Sequence, residues 1–377
     1  MPRIRTIIFL LLLAWGFWHF YGDIWKQAGF QGVYDDIRTD INQVSENPTI
    51  HAVVDTINQE FQRFMGMVQD NIGEDETPNE PMVEKPELQQ PTEQEFSINN
   101  IEIGDIRSEV EAKVGEPKRA SENEYGVDWV AYHENYQNFF MVAYDDKDQV
   151  AGLYTNQDLV SSTHGISLES TQEEVLAAIA EEPLDGIRKG LVTYQLDNNQ
   201  EYDIFLMDDN YITIFYDKHE NKTVTAIQII SKELEQEKKA YFGEPNDDLK
   251  QGFEYQLFDL TNAARVNHGL PVLSWAEPVR QTARDHSTDM AVNNYFSHTN
   301  QEGQSPFDRM TEDAISYTMA GENLAAGQPS SIFAHEGLMN SLGHRENKLH
   351  TGFEALAVGV AFNEDDQPYY TENYLSN

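Results

Sequence analysis

The stretch "GEDETPNEPMVEKPELQQPTEQE", residues 73–95, constrains the fold more than any other feature. It carries Pro78, Pro81, Pro86 and Pro91 among a crowd of carboxylates. Proline supplies no backbone N–H, and clustered like charges repel, so such a segment cannot bury a core of its own. It reads as an extended tether, and the residues before it must fold apart from those after it. At 377 residues the chain is also too long for one ordinary core. The expected organisation is a membrane segment over 1–22, a helical region over 23–71, the acidic Pro-rich linker over 72–96, a duplicated α+β unit over 97–240, and a further domain over 250–377.

Charge excludes some partners. The chain has 65 acidic against 25 basic residues, a formal net of −40. Nucleic acid is excluded as a partner, because phosphate binding needs clustered Lys and Arg. Docking on anionic lipid through a basic face is excluded for the same reason. The balance fits a soluble, self-repelling surface, with an acidic cation-binding role as the alternative. There is no cysteine, which rules out disulfides, thiolate zinc sites, a cysteine nucleophile and a lipid-modified N-terminal Cys.

The first segment, "MPRIRTIIFLLLLAWGFWHFYGDIWK", sets Arg3 and Arg5 before an apolar run from Ile7 to Tyr21. The run is short against the roughly 20 residues of a spanning helix, and Trp15, Trp18 and Tyr21 extend it as an interfacial belt. No small-x-small cleavage site comes after it, so it reads as an uncleaved signal-anchor rather than a removed signal. The two arginines hold the N-terminus inside. The expectation is a single-pass protein of the cell membrane with its C-terminal domains extracellular; secretion is the alternative. Its partners are then the membrane and an extracellular ligand or envelope component.

Residues 23–71 show apolar residues at three- and four-residue steps, split by Asn47-Pro48. Residues 97–233 repeat themselves. "IEIGDIRSEVEAKVGEP" aligns with "ISLESTQEEVLAAIAEEP", setting Val110 against Val175, and Tyr144-Asp145 is echoed by Tyr216-Asp217. Each copy reads as a short strand, a helix and a strand pair joined by a polar hairpin loop, "DDKDQ" or "DKHENK". His133, His164 and His219 are scattered and read as surface or hydrogen-bond-satisfied residues rather than ligands. The region carries no catalytic constellation and reads as a binding or scaffolding module.

The last third reads in detail. Phe253, Leu257, Leu260 and Ala264 share one helical face, and Gly269-Leu270-Pro271 ends that helix. A second helix runs from about Pro278 to about Asn293. Then come "YFSH", "SPFDR", "AGEN" and "NSLGHREN", and after them two alternating strands, "ALAVGVAF" and "PYYTENYL". The order L-x-W, A-x-x-H-S-x-D-M, Y-F-S-H, S-P-x-x-R, G-E-N, N-S-x-G-H-R-x-N resembles the CAP superfamily. This group holds cysteine-rich secretory proteins, insect venom antigens and pathogenesis-related plant proteins. The likeness is to its short bacterial members. The module before it resembles the CAP-associated N-terminal domain.

The resemblance implies that the C-terminal part is an α-β-α sandwich (the CAP fold); with the duplicated α+β module and the membrane-anchor helix read before it, the expected class is α+β. It also implies a cleft with two His and two acidic residues. By motif, His298, Glu322 and His344 take three of those positions, and Ser341 stands where a further acidic residue is expected. Two imidazoles and one carboxylate are a donor set for zinc or another divalent metal. Glu322 serves equally well to orient an imidazole. Hydrolysis would need a water activated by the metal or by Glu322. Ser297 and Ser341 sit in no nucleophile-elbow pattern. In "NSLGHREN", Gly343 is expected to form a tight turn, His344 to enter the cleft, and Arg345 and Asn347 to fasten the next helix. His286 and Asp289 are expected to pack or cap, Arg309 to anchor its loop, and His268 and His350 to lie at the surface. His335 and Glu336 are a minor candidate for a metal pair. Two functional readings result: an extracellular ligand-binding or partner-binding protein, or a metal-assisted hydrolase of peptide or wall polymer.

Overall fold

The last stretch of the acidic linker is strapped to the module C-terminal to it. The computed structural model describes residues 83–196 and 200–376; the readings of 1–22, 23–71 and 72–82 lie outside the described residues. The backbone N–H groups of Thr92, Glu93 and Gln94 all donate to the Glu102 carboxylate, at 2.8, 2.8 and 2.7 Å. Asn100 receives the Gln89 N–H at 2.7 Å and donates to the Glu87 carbonyl at 3.0 Å. Asn138 donates to the Glu84 carbonyl, and the Val83 N–H reaches Gln137. Prolines keep the segment extended, as expected, but side chains of the module satisfy its backbone, so 83–95 is no free tether.

Strand β1 (Phe96–Ile98) opens the module. Helix α1 (Arg107–Val114) and strands β2 (Arg119–Glu122), β3 (Asp128–Glu134), β4 (Gln137–Tyr144) and β5 (Val150–Thr155) come next. After β6 (Val160–Ser162), which pairs with β1, come α2 (Gln172–Ala178), the hairpin β7 (Gly186–Lys189) and β8 (Val192–Gln195), then β9 (Tyr202–Met207), β10 (Asn210–Asp217) and β11 (Thr223–Ser231). A capping box between Thr171 and Glu174 starts α2. The two copies join edge to edge in one antiparallel seven-stranded sheet of order β2-β3-β4-β5-β11-β10-β9. Matching irregularities mark the repeat: the register shifts before Tyr144 in one copy and before Tyr216 in the other. Isolated bridges Ile106–Gln149 and Thr171–Thr223 tie each helix entry to its hairpin.

Side chains alternate across this sheet. One face, with Val142, Leu153, Ile214 and Ile227, buries Val110 of α1 and Val175 of α2. The other, with Trp129, Phe139, Tyr154, Phe215 and Ile230, buries residues of the C-terminal half. Both faces are covered, which is why "FFMVAY" and "YITIFY" show no polar alternation.

Helix α3 (Lys232–Glu237) leads to that half. It holds α4 (Asp247–Asn267), β12 (Ser274–Trp275), α5 (Glu277–Asn293), α6 (Pro306–Glu312), β13 (Met319–Ala326), α7 (Ser331–Met339), α8 (Leu342–Lys348), β14 (Ala355–Phe362) and β15 (Pro368–Ser376). The sheet order is β12-β14-β15-β13. Leu257 of α4 and Leu338 of α7 cover one face, with Leu356, Val358 and Tyr370. Val279 and Met290 of α5 cover the other, with Ala357, Leu375 and Leu324. Among the described residues no helix is long and apolar enough to cross a membrane.

All described residues belong to one compact unit, and the two halves are locked by polar contacts as well as packing. At Gly252 on α4, an added Cβ would lie 1.9 Å from the Glu122 carbonyl oxygen of β2, so only glycine allows the approach. Arg119 pairs with buried Asp259 at 2.8 Å, and Tyr136 donates to the same carboxylate. Arg345 of α8 pairs with Asp217 and Glu220 at the β10–β11 hairpin. Asn340 accepts the Lys218 N–H and donates to the Tyr216 carbonyl, both at 2.9 Å. Glu336 of α7 receives the hydroxyls of Tyr154 at 2.8 Å and Thr225 at 3.1 Å.

Burial pushes the Glu336 carboxyl up to about 7, although its two hydroxyl partners and Lys348 pull it down. An unfolded Glu titrates near 4.5. The folded state therefore holds a proton that the unfolded state has lost. That stabilisation is complete at acid pH, fades as pH climbs from 4.5 toward 7, and is gone above. Thermal or urea unfolding across this window should show wild type losing up to about 3 kcal/mol relative to Glu336→Gln. Parallel pH profiles for the two proteins would contradict this placement of Glu336.

Candidate functional site

Three motifs converge because three short elements are each fixed by a local rule. Helix α5 ends at Asn294, whose left-handed φ of 52° releases the loop carrying "YFSH". Helix α6 starts with a capping box: Ser305 Oγ accepts the Asp308 N–H while the Asp308 carboxylate accepts the Ser305 N–H. Pro306 occupies the first helical turn, and Arg309 emerges one turn in. The S-P-x-x-R spacing thus aims Arg309 back at the loop. Its Nη1 donates to the His298 and Gln304 carbonyls at 2.8 and 3.2 Å. Its Nη2 donates to Glu322 Oε2 at 2.7 Å. Arg309 anchors both through carbonyls and through a carboxylate.

On β13 the side chains of Glu322 and Leu324 face the α5 side, while Asn323 and Ala325 face the α4 and α7 side. Glu322 is buried, with a side chain only 2% exposed, and His298 Nδ1 donates to its Oε1 at 2.9 Å. A carboxylate only accepts, so this contact places the proton on Nδ1 and leaves Nε2 as the lone-pair nitrogen of the neutral ring. Asn323 Nδ2 donates to the His344 carbonyl at 3.1 Å and to Glu372 Oε2 at 3.0 Å. Asn347 Nδ2 returns the tie, to the Glu322 carbonyl at 3.2 Å and to Asn323 Oδ1 at 2.9 Å. Behind these, Lys348 is fully buried and its Nζ meets Glu372 Oε1 at 2.5 Å and Thr261 at 2.9 Å. Gly321 leaves room for Phe353, whose Cζ would stand 2.8 Å from an added Cβ.

The site departs from the sequence reading at several points. His298 and Glu322 are in direct contact. His344 is bound to the same strand through its backbone, and its Nδ1 meets Ser341 Oγ at 2.7 Å. Gly343 forms no turn: α8 begins at Leu342, so His344 is already helical. Arg345 fastens the N-terminal module rather than its own helix, whereas Asn347 does fasten α8 to β13. The expected metal set of His298, His344 and Glu322 does not fit. Each oxygen of Glu322 already has a side-chain partner, His298 on one and Arg309 on the other, and a cation there would displace or oppose the guanidinium. Among the described residues no three His, Asp or Glu side chains are grouped as a metal would need. His335 and Glu336 are not a metal pair either. His335 faces Lys348 at 3.3 Å, while Glu336 turns to Tyr154 and Thr225. His286 packs, as expected, with Nε2 donating to the Ser297 carbonyl at 3.0 Å.

The sequence reading missed Asn323, Lys348 and Glu372. The signal for Asn323 was present in the G-E-N motif. A lysine one residue past R-x-N and a lone Glu inside "YYTENYL" give no hint that they meet.

The geometry has known counterparts. Residues 103–241 match the family described as CAP-associated N-terminal, and residues 258–374 match the Cysteine-rich secretory protein family. The uncharacterized membrane protein YlbC of Bacillus subtilis is 29% identical over 291 residues, covering 72% of this chain and 82% of its own. The uncharacterized protein YkwD of the same organism is 42% identical over 107 residues, covering 28% of this chain and 42% of its own. An extracellular protein containing a SCP domain from Bacillus anthracis superposes with a TM-score of 0.64 at 26% identity, over 78% of this chain and 100% of that one. A cysteine-rich secretory protein from Staphylococcus aureus shares the fold, with a TM-score of 0.59 at 14% identity, over 76% and 95% of the two chains.

Replacing Arg309 tests the loop anchor. Lysine keeps the charge but cannot reach two carbonyls and a carboxylate together. Arg309→Lys should cost about 1–3 kcal/mol in urea unfolding and open the loop of residues 294–305 to limited proteolysis. Unchanged stability and protection would show that the fork is not what holds the loop.

Proposed function

The chain belongs to the CAP superfamily, its CAP domain preceded by a CAP-associated N-terminal domain, and from that premise we propose that it is a binding protein of the cell envelope. It recognises an extracellular ligand or partner through the surface shaped by His298, Glu322, Ser341 and His344. The observation that carries this reading is the state of Glu322. One oxygen orients the His298 ring and the other pairs with the Arg309 guanidinium, so the carboxylate is held between two side chains and serves to position an imidazole. His298 is then a fixed recognition group, 44% exposed at the side chain. The CAP-associated domain acts as a stiff support, since its hairpin grips the helix that carries His344 through Arg345.

A place at the cell surface belongs to the same proposal. The relative YlbC is named a membrane protein, and the Bacillus anthracis counterpart is described as extracellular. The apolar segment from Ile7 to Tyr21 agrees with a single-pass anchor and both domains outside, with secretion as the alternative.

The runner-up is a hydrolase of peptide or wall polymer. The His298–Glu322 contact favours it in one respect, because an imidazole oriented by a carboxylate is also how a general base is held. Co-sedimentation with isolated Gram-positive envelopes separates the two. The full chain should pellet with envelopes, and His298→Ala with His344→Ala should weaken this about tenfold, in line with loss of a few recognition contacts. No soluble amines or reducing ends should appear, with or without added zinc. Fragment release that disappears in Glu322→Gln would establish the hydrolase instead.

A further inference from the structure

A second site lies on the far side of Arg309. A depression of about 550 Å³ opens between α5, the loop of residues 300–304 and α6, within the usual size range of small-ligand pockets. Asp285, Asp289, Glu302, Glu312 and Asp313 line it. Among the described residues none of these five carboxylates is ion-paired; their side-chain donors are neutral. Gln281 serves Asp285 at 2.7 Å, Asn293 serves Asp289 at 2.7 Å, and Gln304 serves Glu312 at 2.6 Å. Tyr295 and Thr282 donate to Asp289 and Asp313.

An acidic rim alone is only a solvated surface. The lining, however, includes His286, whose side chain lies at 1% exposure. Its Nε2 donates to the Ser297 carbonyl, so the neutral ring carries its lone pair on Nδ1. That nitrogen is buried and has no hydrogen-bond partner. Burial above all, with Arg309 adding to it, holds the imidazole below its ordinary pKa, although Glu322 works the other way, so the ring stays neutral and Nδ1 stays an acceptor. The second unpartnered atom in the lining is a donor, Arg309 Nε, whose two Nη atoms are already committed. Leaving either atom unpaired costs about 1–3 kcal/mol. Both atoms belong to residues of the lining, so a ligand that brings a donor, an acceptor and positive charge together would satisfy them and the acidic rim.

We propose that this depression binds a primary ammonium group with an oxygen beside it, as at the end of a lysine-type amino acid or peptide. The ammonium donates to His286 Nδ1, the neighbouring oxygen accepts from Arg309 Nε, and a second cationic centre meets the rim carboxylates. A bare divalent ion suits the place less well. It would leave the Arg309 Nε donor without an acceptor, and among the described residues no three ligating side chains are grouped there. This site is separate from the His298 surface, although Arg309 touches both.

The test uses the full chain and L-lysinamide in ligand-observed saturation-transfer NMR, with a ¹⁵N-histidine spectrum of the protein in parallel. Binding should saturate and should shift the His286 Nδ1 resonance. The triple variant Asp285→Asn, Asp289→Asn, Glu312→Gln changes half-exposed or exposed groups and should still fold. It should weaken binding about tenfold or more, while Asp365→Asn with Asp366→Asn on the β14–β15 loop should leave it within about twofold. Equal weakening by both variants, saturation with an unmoved His286 signal, or displacement by stoichiometric calcium would each overturn the proposal.

Discussion

Two neighbouring residues, Glu322 and Asn323, organise the C-terminal half, because a strand sends successive side chains to opposite faces. Glu322 turns toward α5 and takes the loop side: His298 on one oxygen, Arg309 on the other. Asn323 turns the other way and takes the helix side: the His344 carbonyl, Asn347 and Glu372. One dipeptide thus joins two segments that lie on opposite layers. The buried pair Lys348–Glu372 backs this joint, and its partners are Thr261, Tyr374 and Asn323, so no charge in it lacks compensation. Such a pair adds little stability against an apolar substitute, but removing either partner would leave an uncompensated buried charge.

The N-terminal module completes the joint from outside. Its seven-stranded sheet has two apolar faces, one closed by its own helices and the other by α4 and α7. The repeat is symmetric in topology and asymmetric in use. The hairpin of the first copy returns to its own helix entry, where Gln149 bridges Ile106. The hairpin of the second copy makes the matching return, Thr223 to Thr171, and in addition reaches across to Asn340 and Arg345, at the junction of α7 and α8. The helix that bears His344 is held by β13 on one side and by this hairpin on another. A site built this way is rigid, which suits recognition through preorganised groups.

Much of this was legible in the sequence, and the limits have physical causes. The helix over 253–264, the repeat and the ordered motifs rest on periodicity and spacing, which the chain displays directly. "SPFDR" also carried its own explanation, a cap with an arginine one turn on. By contrast, the Lys348–Glu372 pair and the Asp217–Arg345 contact join residues 24 and 128 positions apart, and no local pattern encodes such meetings. The strap over 83–95 was misread for a related reason. Its composition forbids a core of its own, but says nothing about side chains such as Glu102 and Asn100 that accept it from elsewhere. The metal reading took residue type for availability: Glu322 has the right chemistry, but His298 and Arg309 already hold it.

The direct measurement is the protonation pattern of the histidine rings. In a long-range ¹H–¹⁵N correlation spectrum of the ¹⁵N-histidine chain, taken where the rings are neutral, the account predicts His298 in the Nδ1–H form, held there by Glu322. His298 in the Nε2–H form, or averaging between the two, would mean that Glu322 does not hold that ring, and the reading of an oriented recognition imidazole would be wrong.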